Sequence, residues 1–110
     1  MDRNYQPSLL WSLALAWYEA QRGPDAQPLG PIDLTLYVYR TDTAGAYMMH
    51  GPKLYWTDEP MSGQYFTNCD QGSLADHAQT VGEVVLWDRR ARKTVVLGKT
   101  YDQAWARINA

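Results

Sequence analysis

The chain has 110 residues, a formal net charge of -2 and a single cysteine, Cys69. This length predicts one domain with one hydrophobic core. The small net charge gives no general sign of binding to nucleic acid or to a membrane surface. One cysteine excludes an internal disulfide framework, so we expect a cytoplasmic protein.

A helix is predicted over residues 8–22, followed by Gly23 and Pro24, a pair typical of a helix end. Its apolar run is too short to span a bilayer, so we expect neither a signal peptide nor a membrane segment. The helix carries two apolar strips. One contains Leu9, Leu10, Leu13 and Trp17, and the opposite one contains Trp11, Leu15 and Tyr18. The second strip is covered either by the rest of the chain, by a second copy in a homodimer, or by a partner.

Residues 23–31 hold three prolines and two glycines, which predicts an extended connector. Residues 32–40 alternate between apolar and polar side chains, which predicts a strand whose inner face starts at Ile32. Its outer face carries Tyr37 and Tyr39. Tyrosine rings offer a large contact area at low entropic cost, so both are candidate partner contacts. The alternative is that they pack against neighbouring strands.

The middle of the chain predicts shorter elements. Strands are predicted over residues 46–50, 53–57 and 64–68, separated by turn-forming Gly, Pro and Asp residues. A short helix is predicted over residues 73–79, with Ser73 as its N-cap.

The C-terminal part predicts a β-β-α unit. Residues 83–88 and 94–98 form a predicted hairpin. Thr100 is expected to cap a helix, with Gln103 completing a capping box. The apolar face of this helix consists of Tyr101, Ala104, Trp105 and Ile108. Together the elements predict an α+β fold, an antiparallel sheet of about five strands with an N-terminal and a C-terminal helix packed on it.

Few residues could carry out catalysis or hold a metal. Cys69 and His77 are the best nucleophile and base pair, and a hydrolase built on them is a remote alternative. Together with Asp70 and Asp76 they lack the two closely spaced Cys or His pairs of a structural zinc site. We therefore expect no enzymatic activity, no cofactor and no metal.

The charge changes sign along the chain. Residues 42–88 contain seven acids and the single base Lys53, whereas residues 89–110 contain six bases and one acid. The sequence leaves open whether the fold separates these charges or interleaves them. The loop of the predicted hairpin carries Arg89, Arg90, Arg92 and Lys93. Contact of this loop with a phosphate backbone would make the protein a nucleic-acid-binding accessory protein, which is the alternative function.

The aromatic composition favours a protein-binding function. Five tryptophans and eight tyrosines accompany one phenylalanine, and such amphipathic rings are enriched at protein interfaces. We expect a small non-catalytic binding module of the anti-CRISPR-like or other anti-defence class, encoded by a phage or mobile element. It would occupy a surface of a host protein complex that handles nucleic acid. The expected partner contacts are Trp11, Leu15, Tyr18, Tyr37, Tyr39, Tyr55, Trp56, Asp58, Glu59, Asp70 and Asp76.

Overall fold

The computed structural model of the protein describes residues 5–30, 32–61 and 65–109. The elements are α1 (Pro7–Arg22), β1 (Leu34–Arg40), β2 (Ala46–Met49), β3 (Tyr55–Thr57), β4 (Thr67–Asn68), α2 (Ser73–Asp76), β5 (Val81–Asp88), β6 (Lys93–Gly98) and α3 (Tyr101–Ile108). The six strands form one antiparallel sheet in the order β4-β3-β2-β1-β5-β6. The α+β prediction is confirmed, with six strands in place of about five. Residue 64, the first of a predicted strand, lies outside the described residues.

The helices pack on one face of the sheet, which we call the helix face. Its core joins Leu10 of α1, Leu36 of β1, Leu86 of β5 and Ala104 of α3, all of them fully buried. The one-turn helix α2 adds Leu74 to the same core. Because β1 and β5 alternate, their intervening side chains point to the opposite side, which we call the second face. Among the described residues, no helix is long and apolar enough to cross a membrane.

The apolar surface of α1 is covered within the domain, and the predicted division into two strips is wrong. The buried side chains are Pro7, Leu10, Trp11, Ala14 and Tyr18. They lie at helical spacing on one face. Leu9, Leu13, Leu15 and Trp17 are partly buried against the same core. Since Trp11 is 4% exposed and Tyr18 is 3% exposed, neither is available as a partner contact, and the homodimer through α1 stays a prediction.

The second face is also less exposed than the sequence indicates. Tyr37 is 1% exposed and makes a hydrogen bond with the Met61 backbone, so the connection after β3 lies against it. Burial raises the pKa of the Tyr37 phenol. The expectation that Tyr37 contacts a partner is therefore wrong, whereas Tyr39 beside it is half-buried.

Ile32 is exposed rather than part of an inner face, because β1 begins only at Leu34, after a turn.

The helix α2 is one turn long and is not capped by Ser73. Gly72 occupies the N-cap position and makes no side-chain cap. The Ser73 hydroxyl instead lies 3.1 Å from the Tyr47 hydroxyl, which also lies 3.0 Å from Nδ1 of His77. The Ser73 side chain thus ties α2 to β2, and the predicted helix over residues 73–79 stops at Asp76.

The C-terminal unit is confirmed. The Thr100 hydroxyl accepts a hydrogen bond from the Gln103 N–H at 3.2 Å, while the Gln103 side chain accepts from the Lys99 N–H at 3.1 Å. The reciprocal bond of the capping box is thus displaced by one residue. A Cβ added at Gly98 would lie 2.4 Å from the Ala104 backbone nitrogen, so only glycine permits the close approach of β6 to α3.

The two edge strands of the sheet differ in length and in what covers them. The β4 edge has only two residues, both exposed. At the β6 edge, Nη1 of Arg107 donates to the Val96 carbonyl at 2.7 Å, and the same guanidinium lies 5.1 Å from the centre of the Trp17 ring. One side chain of α3 therefore hydrogen-bonds to a backbone carbonyl of the edge strand β6.

Candidate functional site

The strand register places two charged regions of the chain at opposite ends of the sheet. Leu34 of β1 pairs with Asp88, which pairs with Lys93, so the loop of residues 89–92 lies beside the start of β1. We call this the basic end. The other end of β1 lies beside Thr57, through the pairs of Tyr39 with Ala46 and of Ala46 with Thr57. Six residue steps of a strand place these ends about 20 Å apart.

The opposite end, which we call the acidic end, collects carboxylates from two connections and one strand. Asp42 follows β1, Asp58 and Glu59 follow β3, and Glu83 lies near the start of β5. The sequence left open whether the fold separates acids from bases, and the fold does so only in part. Lys99 pairs with Glu83 at 3.9 Å at the acidic end, whereas Asp33 and Asp88 lie at the basic end.

A groove opens at the acidic end between the segments that leave β3 and enter β4. It is lined by residues 56–59 and 65–67 and has a volume of ≈ 510 Å³. The Thr57 hydroxyl donates to the Tyr65 carbonyl at 2.5 Å and accepts from the Glu59 N–H at 3.0 Å. The bond to Tyr65 holds the two walls of the groove together, and the bond from Glu59 fixes the turn within one wall.

The walls of the groove are aromatic and acidic. Tyr65 is 64% exposed and Phe66 is 39% exposed. Phe66 is nevertheless fixed, because its ring packs edge-on against Tyr55 at 5.0 Å between centres. Asp58 accepts a hydrogen bond from the Trp56 indole at 2.9 Å, which orients its carboxylate. Both Asp58 and Glu59 are exposed.

Among the described residues, no ion pair balances the negative charge of the groove. Arg40, which lies beside the groove with its guanidinium 5.6 Å from the Trp56 ring centre, makes two hydrogen bonds to Asp42, at 2.8 and 2.5 Å. Hydrogen bonding raises the pKa of Arg40 and lowers that of Asp42, so this pair is neutral overall. Within the described part of the chain, neither Asp58 nor Glu59 has an ion-pair partner.

Only some of the predicted contacts come together here. Trp56, Asp58 and Glu59 line the groove, whereas Tyr55 points to the second face because it precedes Trp56 in the strand. Leu15 is partly buried against the helix-face core. Two predicted carboxylates lie elsewhere. Asp70 accepts from the Gly72 N–H at 2.7 Å, and Asp76 lines a second groove, of ≈ 350 Å³, together with Arg40 and Asp42. Asp76 therefore lies at the acidic end but outside the aromatic groove.

The geometry gives no support to a Cys69 and His77 pair. Nδ1 of His77 lies 3.0 Å from the Tyr47 hydroxyl and 3.1 Å from the Ser73 carbonyl. Cys69 packs against the core, and no hydrogen bond joins it to His77 in the described ranges. Those ranges also contain no group of three or more His, Cys, Asp or Glu residues that could hold a metal ion.

The basic end contains a buried carboxylate that shapes its loop. Asp88 accepts hydrogen bonds from the Tyr18 hydroxyl at 2.7 Å and from the N–H groups of Arg90 and Ala91 at 3.0 and 3.1 Å. Burial alone would raise the pKa of Asp88, but these hydrogen bonds outweigh it and the pKa is lowered. Burial and the bond to Asp88 raise the pKa of Tyr18 to about 12.

The four basic side chains of the loop are not equivalent. Arg90 pairs with Asp33 at 3.1 Å and donates to the Gln27 side chain at 3.1 Å. Arg89, Arg92 and Lys93 are exposed and have no ion pair among the residues that the structure describes.

Two residues of the acidic end escaped the sequence analysis. Phe66 was not among the predicted contacts, and the position of Arg40 over Trp56 was not foreseen. The only sequence signal for Phe66 is that it adjoins Tyr65.

Comparisons with known proteins found no matching family model, no matching curated protein and no matching solved structure. The function is therefore argued from geometry alone.

Proposed function

We propose that the protein is a non-catalytic binding module that attaches to a positively charged surface of a partner protein through its acidic end. The observation that carries this proposal is the groove in which Asp58 and Glu59 have no compensating cation among the described residues, next to the exposed ring of Tyr65. Tyrosine and tryptophan are the side chains most often responsible for interface affinity. Carboxylates at the same place select a partner surface of opposite charge.

The partner class that we favour is a host protein complex that handles nucleic acid. Such complexes bind phosphates with Lys and Arg side chains, and the same side chains attract carboxylates. A domain that occupies them would inhibit access of nucleic acid, as expected of an anti-CRISPR-like or other anti-defence protein of a phage or mobile element.

A pull-down with matched charge variants tests the proposal. The test variant combines Asp58→Asn with Glu59→Gln, which keeps side-chain size and removes the charge of the groove. The control combines Asp70→Asn with Asp76→Asn, which removes the same charge outside the groove. We expect the wild type and the control to retain the partner and the test variant to lose it. Equal retention by all three proteins would show that the charges of the groove are not the contact.

Nucleic-acid binding through the basic end is the second candidate. It is favoured by the exposure of Arg89, Arg92 and Lys93, which lack ion pairs among the described residues. Each phosphate contact would add about 0.9 to the negative slope of log affinity against log salt. A mobility-shift series on duplex and single-stranded DNA measures this slope, and alanine at the three positions should abolish the shift. The absence of any shift at low salt ends this candidate.

A further inference from the structure

The groove at the acidic end has the chemistry of a receptor for one kind of side chain. One wall presents the Asp58 and Glu59 carboxylates, and the other presents the exposed rings of Tyr65 and Phe66. Its volume, ≈ 510 Å³, falls in the range of about 300–1,000 Å³ that is typical of small-molecule sites. A side chain can therefore enter it with part of its backbone.

The charge of the groove decides the class of ligand. An apolar ligand would remove two carboxylates from water without giving them a partner, which is unfavourable. A neutral polar ligand would donate hydrogen bonds to the carboxylates but leave their negative charge unbalanced. A cation with N–H groups supplies both the hydrogen bonds and the opposite charge, and the rings of Tyr65 and Phe66 attract a cation through their electron-rich faces.

The fold already contains the same combination of groups around one of its own arginines. Arg40 directs its fork of N–H groups at a carboxylate, Asp42, while its guanidinium lies 5.6 Å from the Trp56 ring centre. Arg107 shares only the ring contact, 5.1 Å from the Trp17 ring centre, and donates to the Val96 carbonyl. A guanidinium is planar, stacks on rings and binds carboxylates with two parallel bonds, which a lysine ammonium cannot do.

The orientation of Asp58 favours the same geometry. The Trp56 indole donates to Oδ1 of Asp58 at 2.9 Å and so orients the carboxylate before any ligand arrives. Neither its other oxygen nor the Glu59 carboxylate has an ion pair among the described residues. An oriented acceptor costs less entropy on binding than a mobile one.

We infer that this groove binds an arginine side chain of the partner protein, an inference that rests on the proposed protein-binding function and names the group that is bound. The arginine lies with its guanidinium between the two carboxylates and against the face of Tyr65. A second copy of this chain could supply an arginine from its basic end, and the experiment separates that source from a partner protein.

Titration of the labelled protein with three short glycine-flanked peptides tests the inference by NMR. The peptides differ at one position, which is arginine, lysine or citrulline, the neutral isostere of arginine. The reporter is the indole N–H resonance of Trp56, assigned by its loss in Trp56→Phe. We expect a saturable shift with the arginine peptide, a smaller one with lysine and none with citrulline. Equal shifts with arginine and citrulline, or none with arginine, would overturn the inference.

Variants of exposed residues show whether the groove is responsible. Asp58→Asn, Glu59→Gln and Tyr65→Ala should each weaken arginine-peptide binding about 2- to 5-fold, the effect expected of a single exposed ion pair or cation–π contact. Asp76→Asn is the control and should leave the affinity unchanged. If none of the three groove variants changes the affinity, the arginine binds elsewhere and the inference is wrong.

Two further outcomes keep this inference distinct from the proposed function. Loss of the partner in the pull-down without any peptide binding contradicts the arginine site and leaves the protein-binding function intact. Peptide binding with an unaffected pull-down contradicts the proposed function and leaves the arginine site. Salt-sensitive self-association by sedimentation velocity that is lost with Arg89→Ala and Arg92→Ala would assign the groove to a second copy and overturn the partner as its source.

Discussion

Each end of the sheet has an aspartate where a strand stops, and the two are used in opposite ways. Asp88, the last residue of β5, is buried and accepts three hydrogen bonds that join the loop to α1. Asp58, directly after β3, is exposed and accepts one hydrogen bond from its neighbour Trp56. A carboxylate with its partners inside the fold contributes to stability. Asp58 has no ion pair among the described residues, and we propose that it binds another molecule, so the two aspartates contrast a charge that stabilises the fold with a charge left for binding.

The largest expected effect is that of Asp88→Ala. This change leaves a buried hydroxyl and two loop N–H groups without their acceptor, so we expect a loss of about 3 kcal/mol in the free energy of unfolding. Chemical denaturation measures it. Asp58→Ala at the other end is the matched control and should change stability by no more than about 0.5 kcal/mol. Similar losses in both variants would remove the distinction between the two ends.

Tyr18→Phe should cost about 2 kcal/mol, because it removes one charge-assisted hydrogen bond to Asp88. The pKa of Tyr18 is raised to about 12, so its contribution is complete below the ordinary tyrosine pKa of about 10 and is lost as the pH rises towards 12. Wild-type stability should therefore fall across that alkaline range. The slope should be shallower in Tyr18→Phe, and an identical slope would show that Tyr18 does not titrate in this way.

The same buried pair of Tyr18 and Asp88 also predicts a loss of stability at acidic pH. Because the folded-state pKa of Asp88 is lowered, its contribution is present above the ordinary aspartate pKa of about 3.9 and is lost as the pH falls through the folded value. Thermal unfolding followed from neutral to acidic pH should show a smaller loss of melting temperature in Asp88→Ala than in wild type. Parallel curves would argue against this role of Asp88.

Arg90→Gln should have a small effect, at most about 0.5 kcal/mol, because its ion pair with Asp33 is partly exposed and screened by salt. The measurement is denaturation at low and high salt. A loss well above this value would show that the basic end depends on its surface charges as well as on Asp88.

The smallest change in stability is expected from Asp58→Asn combined with Glu59→Gln. The amide at position 58 keeps an acceptor for the Trp56 indole, and repulsion between two adjacent carboxylates disappears, so the free energy of unfolding should stay within about 0.5 kcal/mol of wild type. If the variant loses its partner at unchanged stability, the acidic end is functional. A marked destabilisation would mean that these charges belong to the fold.

Local patterns were sufficient for the outline of the fold. The face of α3 formed by Tyr101, Ala104, Trp105 and Ile108 follows from helical spacing, and all four residues are buried. The hairpin of β5 and β6 follows from β-branched residues around a polar loop. The sequence did not predict which side of α1 is buried, because its apolar residues lie on several sides and form no single stripe. Packing against the rest of the fold buries Trp11 and leaves Leu9 only partly buried.

The candidate site depended on information that no local pattern contains. The burial of Tyr37 results from a connection that returns over the sheet and places the Met61 backbone against it. The separation of the two charged ends follows from strand register, which is a relation between distant residues. Asp58 and Glu59 were predicted from their charge. The structure adds that Arg40 pairs with Asp42 and therefore does not neutralise them.

The contact of Arg107 with the β6 edge has a consequence for how the chain can be handled. An outer strand with free carbonyls is a template for pairing with a strand of another molecule, and natural proteins block such templates with charged side chains. Here one guanidinium both blocks the Val96 carbonyl and anchors itself on Trp17. Shortening the chain ahead of residue 107, or fusing a tag that disturbs the last turn of α3, would free the Val96 carbonyl and so favour pairing of β6 with a strand of another molecule.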